Sequence, residues 1–179
     1  MLGTGIYQAA LMSKICIFGA HHEFQEHSPV DYGFYKRLRK LIRDHGADTI
    51  FEEATGLPPK SCVELIADEL GLAWLNVDLT NEERNRLPDS ALASQYDTLQ
   101  DLQMHRQREN RWVKRIGESG SRSGLLICGL CHVLSVGEKL STHGVAVETH
   151  IYSPDNIYNW DWSSRPTVVR EDSLPDPFS

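Results

Sequence analysis

Short apolar runs alternate along the chain with stretches in which apolar residues recur every three or four positions, and glycine or proline separates the two. Lys14 to Phe18 (KICIF) is an apolar run ended by Gly19, the pattern of a buried strand. Phe34, Leu38, Leu41, Ile42 and His45 then follow helical spacing up to Gly46, which supplies a stop. Ala47 to Phe51 (ADTIF) predicts a second strand running into Glu52-Glu53, closed by Gly56, Pro58 and Pro59. Val63, Ile66, Ala67 and Leu70 predict a second helix before Gly71, and Ala73 to Val77 a third strand ending at Asp78. One long helical stretch runs from Ser90 to about Ser119, then Gly120 to Gly124 reads as a polar loop. Leu125 to Cys128 (LLIC) predicts a fourth strand into Gly129, Val133 to His143 a helix, and Val145 to Val147 a fifth strand.

Strands alternating with helices of this length imply right-handed crossovers and a mainly parallel sheet with helices on both faces, an α/β domain over residues 14–152. Ligands of such sheets bind outside the carboxyl ends of the strands. Residues 1–13 carry no periodic apolar face and read as an N-terminal arm. The stretch 153–179 holds prolines and aromatic residues without periodicity and reads as a C-terminal tail, either solvated or packed on the domain or, in a homo-oligomer, on a second copy.

A chain of 179 residues is long enough to bury one core without disulfide or metal staples. Its 18 basic and 25 acidic residues give a formal charge of -7, and no Lys/Arg stripe could track a phosphate backbone, which argues against nucleic acid. No apolar run approaches the roughly 20 residues that span a bilayer. Residues 1–13 lack the basic start and apolar stretch of a signal peptide, so a cytoplasmic protein with no membrane contact is expected. Of the four cysteines, Cys16 and Cys128 lie within apolar runs, and Cys62 and Cys131 outside them; free thiols in a reducing compartment are expected.

Two segments share one form, an apolar strand, a glycine, two residues and a histidine: KICIF-Gly19-Ala20-His21-His22 and LLIC-Gly129-Leu130-Cys131-His132. Glycine lets the chain leave the strand sharply, and each histidine falls in the first turn beyond it. If the two strands are neighbours, both imidazoles enter one crevice. Glu52 and Glu53 add carboxylates at a third strand end, where a buried carboxylate is costly unless a metal or an arginine meets it. The long helix offers the arginine: Leu102, His105, Glu109, Trp112 and Ile116 lie on one face, flanked by Arg108 on one side and Arg106 on the other. The bland alternatives are histidines satisfied by backbone groups, a solvated Glu53, a capping Glu52 and a solvated middle of the helix.

Cys128-Gly129-Leu130-Cys131-His132 matches the pattern for covalent c-type haem, but that attachment needs an exported chain and exposed thiols. A structural zinc knuckle lacks its second pair, because Cys16 and Cys62 do not form another C-x-x-C.

Taken in order, Gly19 to His22, the glutamate Glu52, Arg108-Glu109-Asn110-Arg111-Trp112 and Gly129 to His132 resemble the Tiki, TraB, erythromycin-esterase and ChaN-like superfamily. Its pattern is GxxH, a strand-end glutamate, an R-[DE]-x-x-M helix segment and a second GxxH. The resemblance runs from about Lys14 to His150, with Trp112 where the family has methionine and with His21 beside His22. It implies an erythromycin-esterase/ChaN-like α/β fold and hydrolysis of an amide or ester in a peptide or small molecule. In the leading reading His22, Glu52 and His132 hold a divalent ion, manganese, cobalt or zinc. Glu53 or Glu109 then accepts a proton from water, and Arg108 offsets charge on the oxyanion. Two other readings use the same residues: a metal-independent esterase with a histidine base oriented by a glutamate, and a non-enzymatic protein whose crevice binds haem or another small ligand.

Overall fold

The computed structural model describes residues 14–25, 32–54, 60–80, 83, 98–152 and 168–170. Six strands form one parallel sheet: β1 (Lys14–Ala20), β2 (Thr49–Glu52), β3 (Ala73–Asn76), β4 (Ser123–Gly129), β5 (Ala146–Ile151) and β6 (Val168–Arg170), in the order β3-β2-β4-β1-β5-β6. The helices are α1 (Tyr32–His45), α2 (Cys62–Leu70), α3 (Thr98–Glu118) and α4 (Val133–Thr142), with 3-10 turns at His22–Phe24 and Leu130–His132. The α/β expectation holds and the other predicted strands and helices fall near their places, but β4 begins at Ser123, inside the expected loop, and the fifth strand, expected at Val145 to Val147, runs from Ala146 to Ile151. The predicted long helix is described from Thr98 onward; its expected start at Ser90, like the arm 1–13, lies outside the described residues. Within the tail, Val168–Arg170 adds a strand beside β5, so this part packs on the domain. Among the described residues no helix is long and apolar enough to cross a membrane.

The strands are buried on both sides, and alternation sorts their side chains into two cores. Cys16, Phe18, Ala20, Ile50, Leu125 and Ile127 face α1 and α2, which contribute Phe34, Leu38, Cys62, Val63 and Ile66. Ile15, Ile17, Phe51, Leu126 and Cys128 face α3 and α4, which contribute Trp112, Ile116, Val133, Val136 and Leu140. The chain steps one way across the sheet from β1 to β3 and returns from β3 to β5. Crossovers of one hand therefore place α1 and α2 on one face and α3 and α4 on the other.

The same reversal opens a crevice. β1 and β4 are neighbours, with Gly19 opposite Cys128 and Ala20 opposite Gly129, yet β1 leads into α1 on one face and β4 into α4 on the other. Two adjacent strands whose exits diverge leave a gap at their carboxyl ends, where ligands of such sheets lie. Both GxxH segments border this gap.

The glycines at its rim do something other than expected. Gly129 has φ −60°, open to any residue, and Gly19 sits within regular strand. Each is needed for space: a Cβ on Gly19 would stand 2.3 Å from Val133 Cγ2, and one on Gly129 would stand 3.0 Å from His22 Nε2 and 3.4 Å from Glu53 Oε2. The left-handed glycines of the described residues are elsewhere, at Gly120 and Gly144 and at Gly46 and Gly71 behind α1 and α2, where the predicted helix stops stand.

Candidate active site

Glu53, the first residue beyond β2, is the centre of the site. Its backbone N–H donates to Ile127 O at 2.9 Å, continuing the ladder, and alternation turns its side chain toward α3 and α4. There it is 4 % exposed. Its Oε2 accepts from the Gly129 backbone N–H at 2.8 Å, and its Oε1 accepts from Arg108 Nη2 at 2.5 Å. The same Oε1 lies 3.7 Å from His22 Nε2 and 3.6 Å from His132 Nε2. Both GxxH histidines thus meet one carboxylate oxygen. Of the adjacent pair, His22 is the imidazole that faces Glu53; His21 packs edge-on to Phe24 instead.

Glu52 is not part of this group, which corrects its expected place among the ligands. One residue earlier in the strand, it points to the α1/α2 face, where its Oε2 accepts from Ser61 Oγ at 2.6 Å and from Trp74 Nε1 at 2.8 Å. Its Oε1 is buried without a hydrogen-bond partner, and burial pushes the carboxyl up to about 7 against those two donors. Ser61 also caps α2 by accepting from the Glu64 N–H, so Glu52 reads as part of the support under that helix.

α3 delivers the cation and the histidine's partner from one face. Arg108 donates through Nε and Nη2 to the two oxygens of Asp78, at 2.9 and 2.8 Å, as well as to Glu53. Burial works against its charge, but Asp78 and Glu53 more than reverse this and hold the guanidinium charged. One turn on, Trp112 stacks under Arg108, donates from Nε1 to Asp78 at 3.3 Å and packs edge-on to His132 with ring centroids 4.7 Å apart. Trp112 therefore buttresses both the arginine and the histidine.

Glu109 orients His132. The ring donates from Nδ1 to Glu109 Oε1 at 2.9 Å, an oxygen that also accepts from Ser135 Oγ at 2.5 Å, while Lys139 Nζ lies 3.0 Å from Oε2. Burial raises the Glu109 carboxyl, and these three donors together carry it down to about 2. Burial pulls the His132 imidazole down, and Cys131, Glu109 and Glu53 outweigh it, carrying the ring up to about 9. With Nδ1 committed, Nε2 is the nitrogen left to face the crevice. His105, also on α3, tilts over His132 with centroids 4.8 Å apart. Burial, then the charges of His132 and Arg108, keep it below the ordinary histidine range.

Six of the residues expected at a site fall as follows: His22, Glu53, Arg108, Glu109 and His132 converge, and Glu52 does not. Asp78, Ser135 and Lys139 are additions that sequence reasoning passed over. Asp78 carried a usable signal, since it closes an apolar run as Glu53 does. Ser135 and Lys139 gave none, because serine and lysine on an exposed-looking helix are ordinary. The four cysteines are free thiols, three buried and Cys131 exposed, which removes the exposed thiol pair that covalent haem would need. Comparison with protein-family models, curated proteins and solved structures finds no match.

Proposed function

We propose that the chain is a metal-dependent hydrolase of amide or ester bonds related to the Tiki, TraB and erythromycin-esterase group, with His22, Glu53 and His132 as the residues that would hold a divalent ion. The observation carrying this reading is the meeting of both GxxH imidazoles at one oxygen of Glu53, at 3.7 and 3.6 Å. Two ligand atoms each about 2.1 Å from one tetrahedral ion stand about 3.4 Å apart, close to the distance of each histidine from the Glu53 oxygen. The space that Gly129 leaves open lies between His22 Nε2 and Glu53 Oε2.

A bound divalent ion supplies a water acidified to near neutrality and a Lewis acid for the scissile carbonyl. The protein supplies the rest. Glu109 fixes the His132 tautomer, Gly129 N–H and Arg108 lock the Glu53 carboxylate, and Asp78 holds the guanidinium from behind. Arg108 is the positive charge placed to offset negative charge that develops on a substrate oxygen. His22, with its side chain 57 % exposed, stands on the solvent side where substrate enters.

The test is titration of metal-stripped protein with manganese, cobalt and zinc, read by elemental analysis, alongside a panel of ester and peptide probes. One ion bound per chain, with hydrolysis lost to chelator and restored by that ion, is the expected result. A second reading rests on Arg108 already neutralising Glu53: without a metal, His132, oriented by Glu109, then acts as the general base in its deprotonated form, so hydrolysis rises with pH toward about 9. Chelator-resistant hydrolysis would select it.

A further inference from the structure

Beside the Glu53 group lies a second set of ligand-type side chains. His105 on α3 and Cys131 and His132 in the turn after β4 bring one nitrogen or sulfur atom each to within 4.8 Å of one another, graded from a buried His132 through a half-buried His105 to an exposed Cys131. We propose that His105, Cys131 and His132 form a binding site for a thiophilic cation such as zinc or cobalt(II), at the mouth of the crevice.

The chemistry of the set selects the ion. One thiolate and two imidazoles suit zinc-like metals, whereas manganese and magnesium favour oxygen ligands. Three protein ligands leave a coordination position for solvent. Cys131 is exposed, so a hydrated ion reaches it directly, and its thiol proton passes to solvent as the sulfur–metal bond forms. His132 enters with Nε2, because Nδ1 is bound to Glu109, and that carboxylate is the outer partner that commonly steadies a ligating histidine. The His105 and His132 rings already lie with centroids 4.8 Å apart and the three ligand atoms within 4.8 Å of one another, a spacing that side-chain rotation can close.

Because His132 has one nitrogen to give, this set and the Glu53 set exclude each other. A thiophilic ion seated on Cys131 takes His132 away from Glu53 and silences the site. That consequence rests on the hydrolase reading above; the binding itself rests on the three side chains alone.

Cobalt(II) added to the purified full chain gives the test. The expected result is a near-ultraviolet sulfur-to-cobalt charge-transfer band that zinc abolishes at one equivalent, that C131S and H105A lack, and that E53Q retains. Cobalt affinity should fall at least about tenfold in C131S, whose exposed position leaves the fold intact by circular dichroism. A folded protein that binds cobalt without the sulfur band, or whose band persists in C131S, overturns the thiolate site. If cobalt then binds through nitrogen and oxygen alone and is lost in E53Q, the Glu53 reading survives that failure. If the sulfur band is present and no ion supports hydrolysis, the thiolate site stands and the hydrolase reading falls.

Discussion

Glu52 and Glu53 are adjacent in the chain and lie on opposite faces of the sheet: Glu52 bonds to Ser61 and Trp74 beneath α2, and Glu53 to Arg108 and Gly129 beneath α3 and α4. Their substitutions should therefore separate cleanly. E53Q should lower hydrolysis by about 100-fold or more, because it removes the group on which both histidines converge. E52Q should leave activity within about twofold. A loss in E52Q as large as that in E53Q, at unchanged melting temperature, would put the chemistry on the wrong carboxylate.

The raised Glu52 carboxyl also predicts a pH dependence of stability. In the unfolded chain it titrates near 4.5, and in the folded protein near 7. The folded state thus holds its proton more tightly. Its contribution is complete below pH 4.5 and is lost as pH rises through 7, a decline of about 3 kcal/mol. Because glutamine cannot ionise, denaturant titrations of wild type and E52Q should diverge in favour of the variant between those two pH values. Parallel curves would mean that Glu52 titrates normally.

Gly19 and Gly129 should fail in different ways when a methyl group is added. At Gly19 the methyl would meet Val133 Cγ2 at 2.3 Å, in the packed core. G19A should cost about 1–3 kcal/mol of stability, and V133A should restore part of it. At Gly129 the methyl meets His22 Nε2 and Glu53 Oε2, groups of the site. G129A should keep its melting temperature within a few degrees and lose activity about 100-fold through displaced site groups.

Glu109 holds His132 from behind, and outer partners of this kind are worth about 10–100-fold in metal affinity. E109Q should lower the affinity of the Glu53 set for its ion by that range, measured by calorimetry, and S135A by less, since Ser135 shares an oxygen that His132 already occupies. Equal losses in E109Q and S135A would indicate that the whole turn, and not the His132 tautomer, is what matters.

The C-x-x-C-H pattern should not attach haem. Cys128 is fully buried, and its thiol is held well above the ordinary range by burial and then by the Glu53 charge, so it is a poor nucleophile. Protein expressed alongside a haem-attachment system should show no haem band on a denaturing gel.

Much of the fold was legible because it rests on local pattern. Apolar runs at 14–18 and 125–128, helical spacing at 34–45, and glycine at 46 and 71 fix their elements by side-chain periodicity and backbone freedom, which neighbours in sequence decide. The two GxxH segments, read as strand exits, likewise placed His22 and His132 at the carboxyl edge. Three things only the tertiary structure decided. Strand order put β4 between β1 and β2, bringing His22 and His132 to one carboxylate. The side-chain period of two fixed which glutamate faces the crevice, and that hinges on the register and face of β2, which a run as short as TIF leaves open. The depth at which α3 and α4 pack over the sheet brought Asp78 behind Arg108, Ser135 and Lys139 onto Glu109, and Cys131 beside His105. Those contacts join residues 26 to 30 positions apart, so no spacing along the chain encodes them; they exist only once the sheet's twist and the helices' packing set the distances.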